Sequence, residues 1–296
     1  MEQRTALLIP VILVLAVIII YYSVPQTTIH VTATTTTSLY ATGLLDKLSE
    51  EFTKKHPGVS IDFIPVGSGE ALRRAADGEA CLVLVHAPSL EKEYIDKGVI
   101  TQHRIFAYNY FVIAGPPNDP ANISTANTAT EAFQRIYMAG EEGRALFVSR
   151  GDNSGTHVKE LSIWSKTGLD PHGKDWYIET GSGMAQTLIV ANEKKAYVLT
   201  DIGTYLKLKG NGRLSNIEVL FTNSSELINI YSVYLVTSCS GQEKSIAEEF
   251  IDFITSEVGQ KIIAQYGVEE YGRPLFYPAM NETDRLHDIW VKLFKE

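Results

Sequence analysis

Phe147-Val-Ser-Arg-Gly-Asp-Asn-Ser-Gly-Thr-His157 reads as a short apolar strand that runs into a Gly/Ser/Thr-rich loop and opens a helix. Two further stretches have the same character, Ala33-Thr-Thr-Thr-Thr-Ser38 and Val66-Gly-Ser-Gly69. The first turn of a helix leaves backbone N–H groups without partners, and the helix dipole adds partial positive charge there, so each loop is a place for an anion. Around these loops strands and helices alternate. A strand ends at Thr36; a helix carrying Leu44, Leu45, Leu48 and Phe52 on one face follows and stops at Pro57-Gly58. Val59-Ser-Ile-Asp-Phe63 alternates as a half-buried strand, a short helix spans Glu70 to Asp77, and an apolar strand runs from Leu82 to His86. Such alternation predicts an α/β fold with an open, largely parallel sheet.

Farther along, the apolar strand Tyr108–Ala114 ends at Gly115-Pro-Pro117, where the chain is expected to cross to a second lobe. Ile230-Tyr-Ser-Val-Tyr-Leu-Val236 is the expected return strand, and Gln242 to Tyr266 the expected closing helix, with Ile246, Phe250, Phe253 and Ile254 as its inner stripe. Two crossings between α/β lobes place a cleft between them, where ligands of open α/β sheets sit. The expected division is 1–26 as anchor and linker, 27–111 as the first part of lobe I, 112–232 as lobe II and 233–296 as the second part of lobe I.

The 296 residues, 45% hydrophobic and 21% charged, have an ordinary globular composition that excludes disorder and repeat architectures. The uncharged apolar run Ala6–Tyr22, preceded by Arg4, reads as a signal peptide or a membrane anchor. Its length and the lack of an Ala-x-Ala-like site after it favour the anchor, with the body of the protein outside the cell. No cysteine follows the run closely enough to carry a lipid. Cys81 and Cys239 are too few for a disulfide framework, and the apolar run that Cys81 opens favours a buried free thiol. A net charge of −9 argues against nucleic acid and means that affinity for an anion must come from local, preorganised donors.

The loop Arg150-Gly-Asp-Asn-Ser-Gly-Thr156 supplies one fixed positive charge, two hydroxyls and glycines whose backbone can approach a ligand closely. Asp152, Asn153, Ser154 and Thr156 equally suit helix capping, and the threonines from Thr34 to Thr37 equally suit a β-branched strand end. Gly67-Ser-Gly69 is a weak signal alone, and none of the loops has the spacing of a dinucleotide fingerprint. No Gly-x-Ser-x-Gly elbow and no metal-ligand spacing occurs. His86 reads as a cleft or core residue at a strand end and His157 as a first-turn helix residue.

Taken in order, Thr35-Thr-Thr-Ser38, Gly43-Leu-Leu-Asp46, Val83-Leu-Val-His-Ala-Pro88, the Phe147–His157 stretch with Glu160, Glu179-Thr-Gly-Ser-Gly-Met184 with Thr187 and Leu188, and Thr200-Asp201 with Gly203-Thr-Tyr205 resemble the tungstate-binding proteins of ABC transporters. The likeness runs from about Thr32 to Tyr266. It implies a type II periplasmic-binding-protein architecture closing on one tetrahedral oxyanion, tungstate and usually molybdate as well, for delivery to a membrane permease and its ATPase. By motif, the contacts would be Thr36, Thr37 or Ser38, Ser68, Arg150, Ser154, Gly155 and Thr156, with no cofactor and no protein-ligated cation. The sequence departs from the family at Leu39, Ala41 and Tyr110. An anion that only accepts hydrogen bonds is best held by N–H, O–H and guanidinium donors, so the Asp152 carboxylate is expected to cap the helix or orient Arg150 instead. The rival readings are a phosphate or sulfate receptor, a hydrolase built on Ser154 and His157, and an adhesion protein displaying Arg150-Gly-Asp152.

Overall fold

The computed structural model describes residues 28–222 and 224–294. Its strands are β1 (Ile29–Thr36), β2 (Val59–Val66), β3 (Leu82–Val85), β4 (Ile100–Gly115), β5 (Phe147–Ser149), β6 (Tyr177–Glu179), β7 (Val198–Asp201), β8 (Glu218–Phe221), β9 (Ile228–Val236) and β10 (Tyr277–Pro278). A first sheet has the order β10-β4-β9-β3-β1-β2. In it β1 runs parallel to β2 and β3, whereas β9 is antiparallel to both β3 and β4. The tip of β4, Phe111 to Gly115, leaves that sheet and pairs with β7 and β8. Phe147 bridges Tyr197 beside β7, and β5 pairs in parallel with β6, so these strands extend a second layer.

Strand alternation explains why both sheets are covered on two faces. Leu82 and Leu84 join Leu45, Phe52, Phe250 and Ile254 on one face of the first sheet. Val83 and Val85 join Leu72, Tyr234 and Trp290 on the other. In the second layer Phe147 packs with Phe133, Trp164 and Tyr197, while its neighbour Val148 packs with Met184, Leu188 and Val198. The result is the two-lobed α/β architecture expected, with the chain passing between layers along β4 and again between β8 and β9. The sheet is not the largely parallel one expected, however: β4 and β9 are antiparallel to every strand they pair with, because the chain reverses direction where it crosses between the lobes.

Several local expectations need correction. β4 begins at Ile100, well before Tyr108, because β9 pairs with its whole first part through two register shifts, one of them beside Gln102 at a φ of 52°. The closing helix is two helices, Gly241–Thr255 and Glu257–Gln265. Ser256 separates them with extended backbone, and its Oγ accepts from Gly259 N, restarting the helix. Cys81 is not a free thiol: it is bonded to Cys239, with their Cα atoms 5.0 Å apart. The pairing follows from topology, since Leu82 lies opposite Leu235 and the turn after Val236 carries Cys239 back beside Cys81. The Ala6–Tyr22 run lies outside the described residues. Among the described residues no helix is long and apolar enough to cross a membrane.

Candidate oxyanion site

Register places the loops. Thr36 is the partner of Val66 at the ends of parallel β1 and β2, so the Thr36–Ser38 and Gly67–Gly69 segments leave the first sheet side by side. Ser149 is likewise the partner of Glu179, so Arg150 and Thr180 leave the second layer together. Each of the four segments leads directly into a helix: Thr37–Thr42, Ser68–Ala76, Gly155–Thr167 and Met184–Lys194.

The two sets of loops meet face to face. A Cβ built on Gly69 would stand 2.8 Å from Asn153 Nδ2, and one on Gly67 3.5 Å from the Asp152 carbonyl oxygen. One on Gly183 would stand 3.5 Å from Thr37 Oγ1. One on Gly155 would lie 2.8 Å from both Cε1 and the carbonyl oxygen of His86. Glycine is therefore required at 155, where the close atom is backbone, whereas at 69 the close atom is the end of the Asn153 side chain. The third loop turns through left-handed backbone at Gly151 (φ 60°) and Asn153 (φ 53°).

Arg150 is 2% exposed. Its Nη2 donates to Thr37 Oγ1 at 3.2 Å, across the cleft, and to Asp152 Oδ2 at 2.6 Å. Asp152 Oδ1 accepts from Ser154 N at 3.2 Å, so this carboxylate orients the arginine and holds the helix start, as expected. Arg150 Nε and Nη1, Ser68 Oγ, Thr156 Oγ1 and His157 Nε2 are buried and have no hydrogen-bond partner. His157 Nδ1 accepts from Asn153 N at 3.0 Å, so in the neutral ring Nε2 carries the hydrogen. Burial holds the His157 pKa below its ordinary value, which keeps the ring neutral. The unpaired atoms are thus hydroxyls, guanidinium N–H groups and an imidazole N–H, and each of them can donate.

Thr36 and Ser154 cap their helices: Thr36 Oγ1 accepts from Leu39 N, and Ser154 Oγ from His157 N, each at 3.3 Å. An accepting hydroxyl keeps its own hydrogen, so the capping and ligand-binding readings are compatible at both positions. Ser38 Oγ lies 3.4 Å from Thr36 Oγ1 and 3.4 Å from His86 Nε2. Thr34 and Thr35 turn their hydroxyls to the carbonyls of Ala71 and Leu84 and take no part in the cleft. His86, 3% exposed, is buried at the end of β3; burial first, and then the charge of Arg150, bring its pKa down to about 4.

Asp201 and Glu160 are buried near this region. The Asp201 carboxylate accepts from Thr204 N and Thr204 Oγ1, and its pKa is pushed up by burial. Glu160 Oε1 accepts from Tyr177 Oη at 2.6 Å and Trp164 Nε1 at 3.3 Å, and burial raises its pKa to about 7. Sequence reasoning did not anticipate that His157 holds a buried, unpaired Nε2 beside the loop. The available signal was its place as the third residue after the Ser154 cap, which brings its ring back over the loop. Neither ring nitrogen of His157 is bonded to Ser154 Oγ, so no nucleophile–base pair exists there, and the burial of Arg150 excludes a displayed Arg-Gly-Asp tripeptide.

The PBP superfamily domain matches residues 23–258. The tungstate-binding protein TupA of Peptoclostridium acidaminophilum is 38% identical over 248 residues, which span 82% of this chain and 84% of that protein. The chain belongs to the tungstate-binding protein family. Among solved structures, TupA from Desulfovibrio alaskensis G20 is 37% identical with a TM-score of 0.70, over 84% of this chain and 98% of the other. The tungstate ABC transporter structure from Geobacter sulfurreducens is 40% identical, also with a TM-score of 0.70, over 80% of this chain and 98% of the other. The tungstate-binding protein family consists of solute-binding proteins of ABC transporters, not enzymes, and its type II periplasmic-binding-protein fold agrees with the two crossed layers described above.

Proposed function

We propose that this chain binds tungstate as a dianion outside the cell, accepts molybdate as well, and delivers either ion to an ABC permease driven by its ATPase. The observation that carries this reading is the set of buried unpaired donors at Ser68, Arg150, Thr156 and His157, drawn from both sides of one cleft. The contacts would be Thr36, Thr37, Ser38, Ser68, Arg150, Ser154, Gly155 and Thr156, with His157 added. The metal arrives inside the oxyanion, so neither a cofactor nor a protein-ligated cation is needed. The family and the Cys81–Cys239 disulfide both suit an oxidising compartment outside the cytoplasm. Residues 6–22 would anchor the protein at the outer face of the membrane. The lobes would divide at 27–111 with 233–296 against 112–232.

Hydrogen phosphate is the main competing ligand, and it must donate a hydrogen bond. The Asp152 carboxylate beside Arg150 already serves Arg150 and Ser154 N, so that proton would face other donors. Sulfate only accepts, as tungstate does, but its shorter bonds would leave gaps in a site shaped for the larger ion. Titration calorimetry of the ectodomain with tungstate, molybdate, sulfate and phosphate tests the assignment. The expected order places the first two far ahead of the others. Tight phosphate binding, or no heat with micromolar tungstate, would overturn it.

A further inference from the structure

A chain of buried amides leads away from the site. Leu275 O can only accept, so Asn109 turns its Nδ2 to it at 3.3 Å and offers Oδ1 to Asn229 Nδ2 at 3.0 Å. Asn229 Nδ2 also donates to Tyr231 Oη at 2.8 Å, which leaves Asn229 Oδ1 facing His86 Nδ1 at 2.9 Å. The hydrogen of the neutral imidazole therefore sits on Nδ1, and Nε2 is a bare acceptor. Ser38 Oγ stands 3.4 Å from it and is the donor. Ser38, His86, Asn109, Asn229 and Tyr231 are all buried.

The positions matter as much as the bonds. Asn109 and Asn229 are register partners on β4 and β9, next to Phe111, where β4 leaves the first sheet for the second. Gly155 of the facing loop lies against the Cε1–Nδ1 edge of the His86 ring, where a Cβ would stand 2.8 Å from Cε1 and 2.9 Å from Nδ1. A cavity of about 30 Å³, bordered by His86, Phe111, Gly155 and Asn229, marks where the two layers and the crossing strands come together.

We propose that His86 is a positioning residue of the oxyanion site: it ties the Ser38 hydroxyl to the strand crossing through Asn229 and Asn109, and it forms the seat for Gly155 when the lobes are closed. Resting on the receptor reading above, this narrows its list of contacts: the Ser38 hydroxyl hydrogen goes to His86, and of Thr36, Thr37 and Ser38 the two threonines are left to meet the anion. Ser38 thus acts by placing its loop, while Ser68, Arg150 and Thr156 supply hydrogens to the ligand.

The test combines binding with a spectroscopic signature. In the wild-type ectodomain, ¹⁵N spectra assigned by loss of the signal in His86→Gln should show a ring protonated at Nδ1 and bare at Nε2 at both pH 6 and pH 8. By calorimetry, His86→Leu should weaken tungstate binding about tenfold or more. His86→Gln should recover most of that loss, because its amide accepts and donates on the same two sides. His86→Leu combined with Ser38→Ala should bind no worse than His86→Leu alone. A ring protonated at Nε2, additive losses in the double variant, or a Gln variant as weak as the Leu variant overturns the proposal. If the wild-type protein gives no response to tungstate, the receptor reading falls, and the ring tautomer still decides the relay.

Discussion

Among the described residues, Arg150 carries the one fixed charge in the set of unpaired buried donors, and its Nε and Nη1 have no protein partner. Replacing it with alanine should weaken tungstate binding by about 2 to 3 kcal/mol, the scale of a charge-assisted hydrogen bond lost in a desolvated site. Calorimetry reads this directly, and an unchanged affinity would remove Arg150 from contact with the ion. Gly155 makes a different kind of contribution. A methyl group there would meet Cε1 and the carbonyl oxygen of His86 at 2.8 Å, and the carbonyl is backbone that cannot swing away. Gly155→Ala should therefore hold the lobes apart, lowering tungstate affinity about tenfold or more. The melting temperature of the ligand-free protein should hardly change, because the clash exists only when the loops meet. A variant that binds normally would show that the facing loops need not approach so closely.

At the level of elements, the helix Gly155–Thr167 carries a buried titration site. Glu160 has its pKa raised by burial from 4.5 to about 7, so between these values the folded protein keeps a proton that the unfolded chain has lost. Stability should fall as pH rises from about 4.5 to about 7 and then level off, by roughly 3 kcal/mol from this group. Glu160→Gln retains an Oε1 acceptor for Tyr177 and Trp164 and removes the charge. Urea melts at pH 5 and pH 8 should show the variant gaining on the wild type at the higher pH; equal differences at both would rule out this titration. The sequence made the helix and its loop legible because Arg150, Ser154 and Thr156 announce themselves by type and spacing. The same held for Thr36 and Thr37, which follow an obvious strand. What it concealed depended on non-local pairing. That β3 lies beside β9, which brings Cys81 to Cys239, is not written in either segment. The full length of β4 needs β9 as a partner, and the break at Ser256 is a local cap inside an otherwise continuous apolar stripe.

For the molecule as a whole, the closed arrangement contains its own reason to open. Arg150 Nη2 reaches Thr37, and Lys207 Nζ donates to the Ala41 carbonyl at 2.6 Å, so the facing loops and helices are joined at more than one point. Yet closure without a ligand buries donors at Ser68, Arg150, Thr156 and His157 unsatisfied, each at a cost of about 1 to 3 kcal/mol. One surface lysine bonded to a carbonyl does not offset that. The empty protein should therefore populate an open form, and tungstate should draw it closed by supplying the missing acceptors. Small-angle scattering should show the radius of gyration falling when tungstate is added; no contraction would mean that the empty protein is already closed.

The bond between Cys81 and Cys239 joins residues 158 positions apart, and all of β4 to β9 lies between them. Topologically, the far half of the clamshell is a covalent ring strung on a single sulfur link. A protease that severs any one surface turn within that ring leaves the fragments as one particle, which migrates intact on a gel until a thiol reductant is added. For a receptor working among extracellular proteases, a single scission need not cost the cell the molecule.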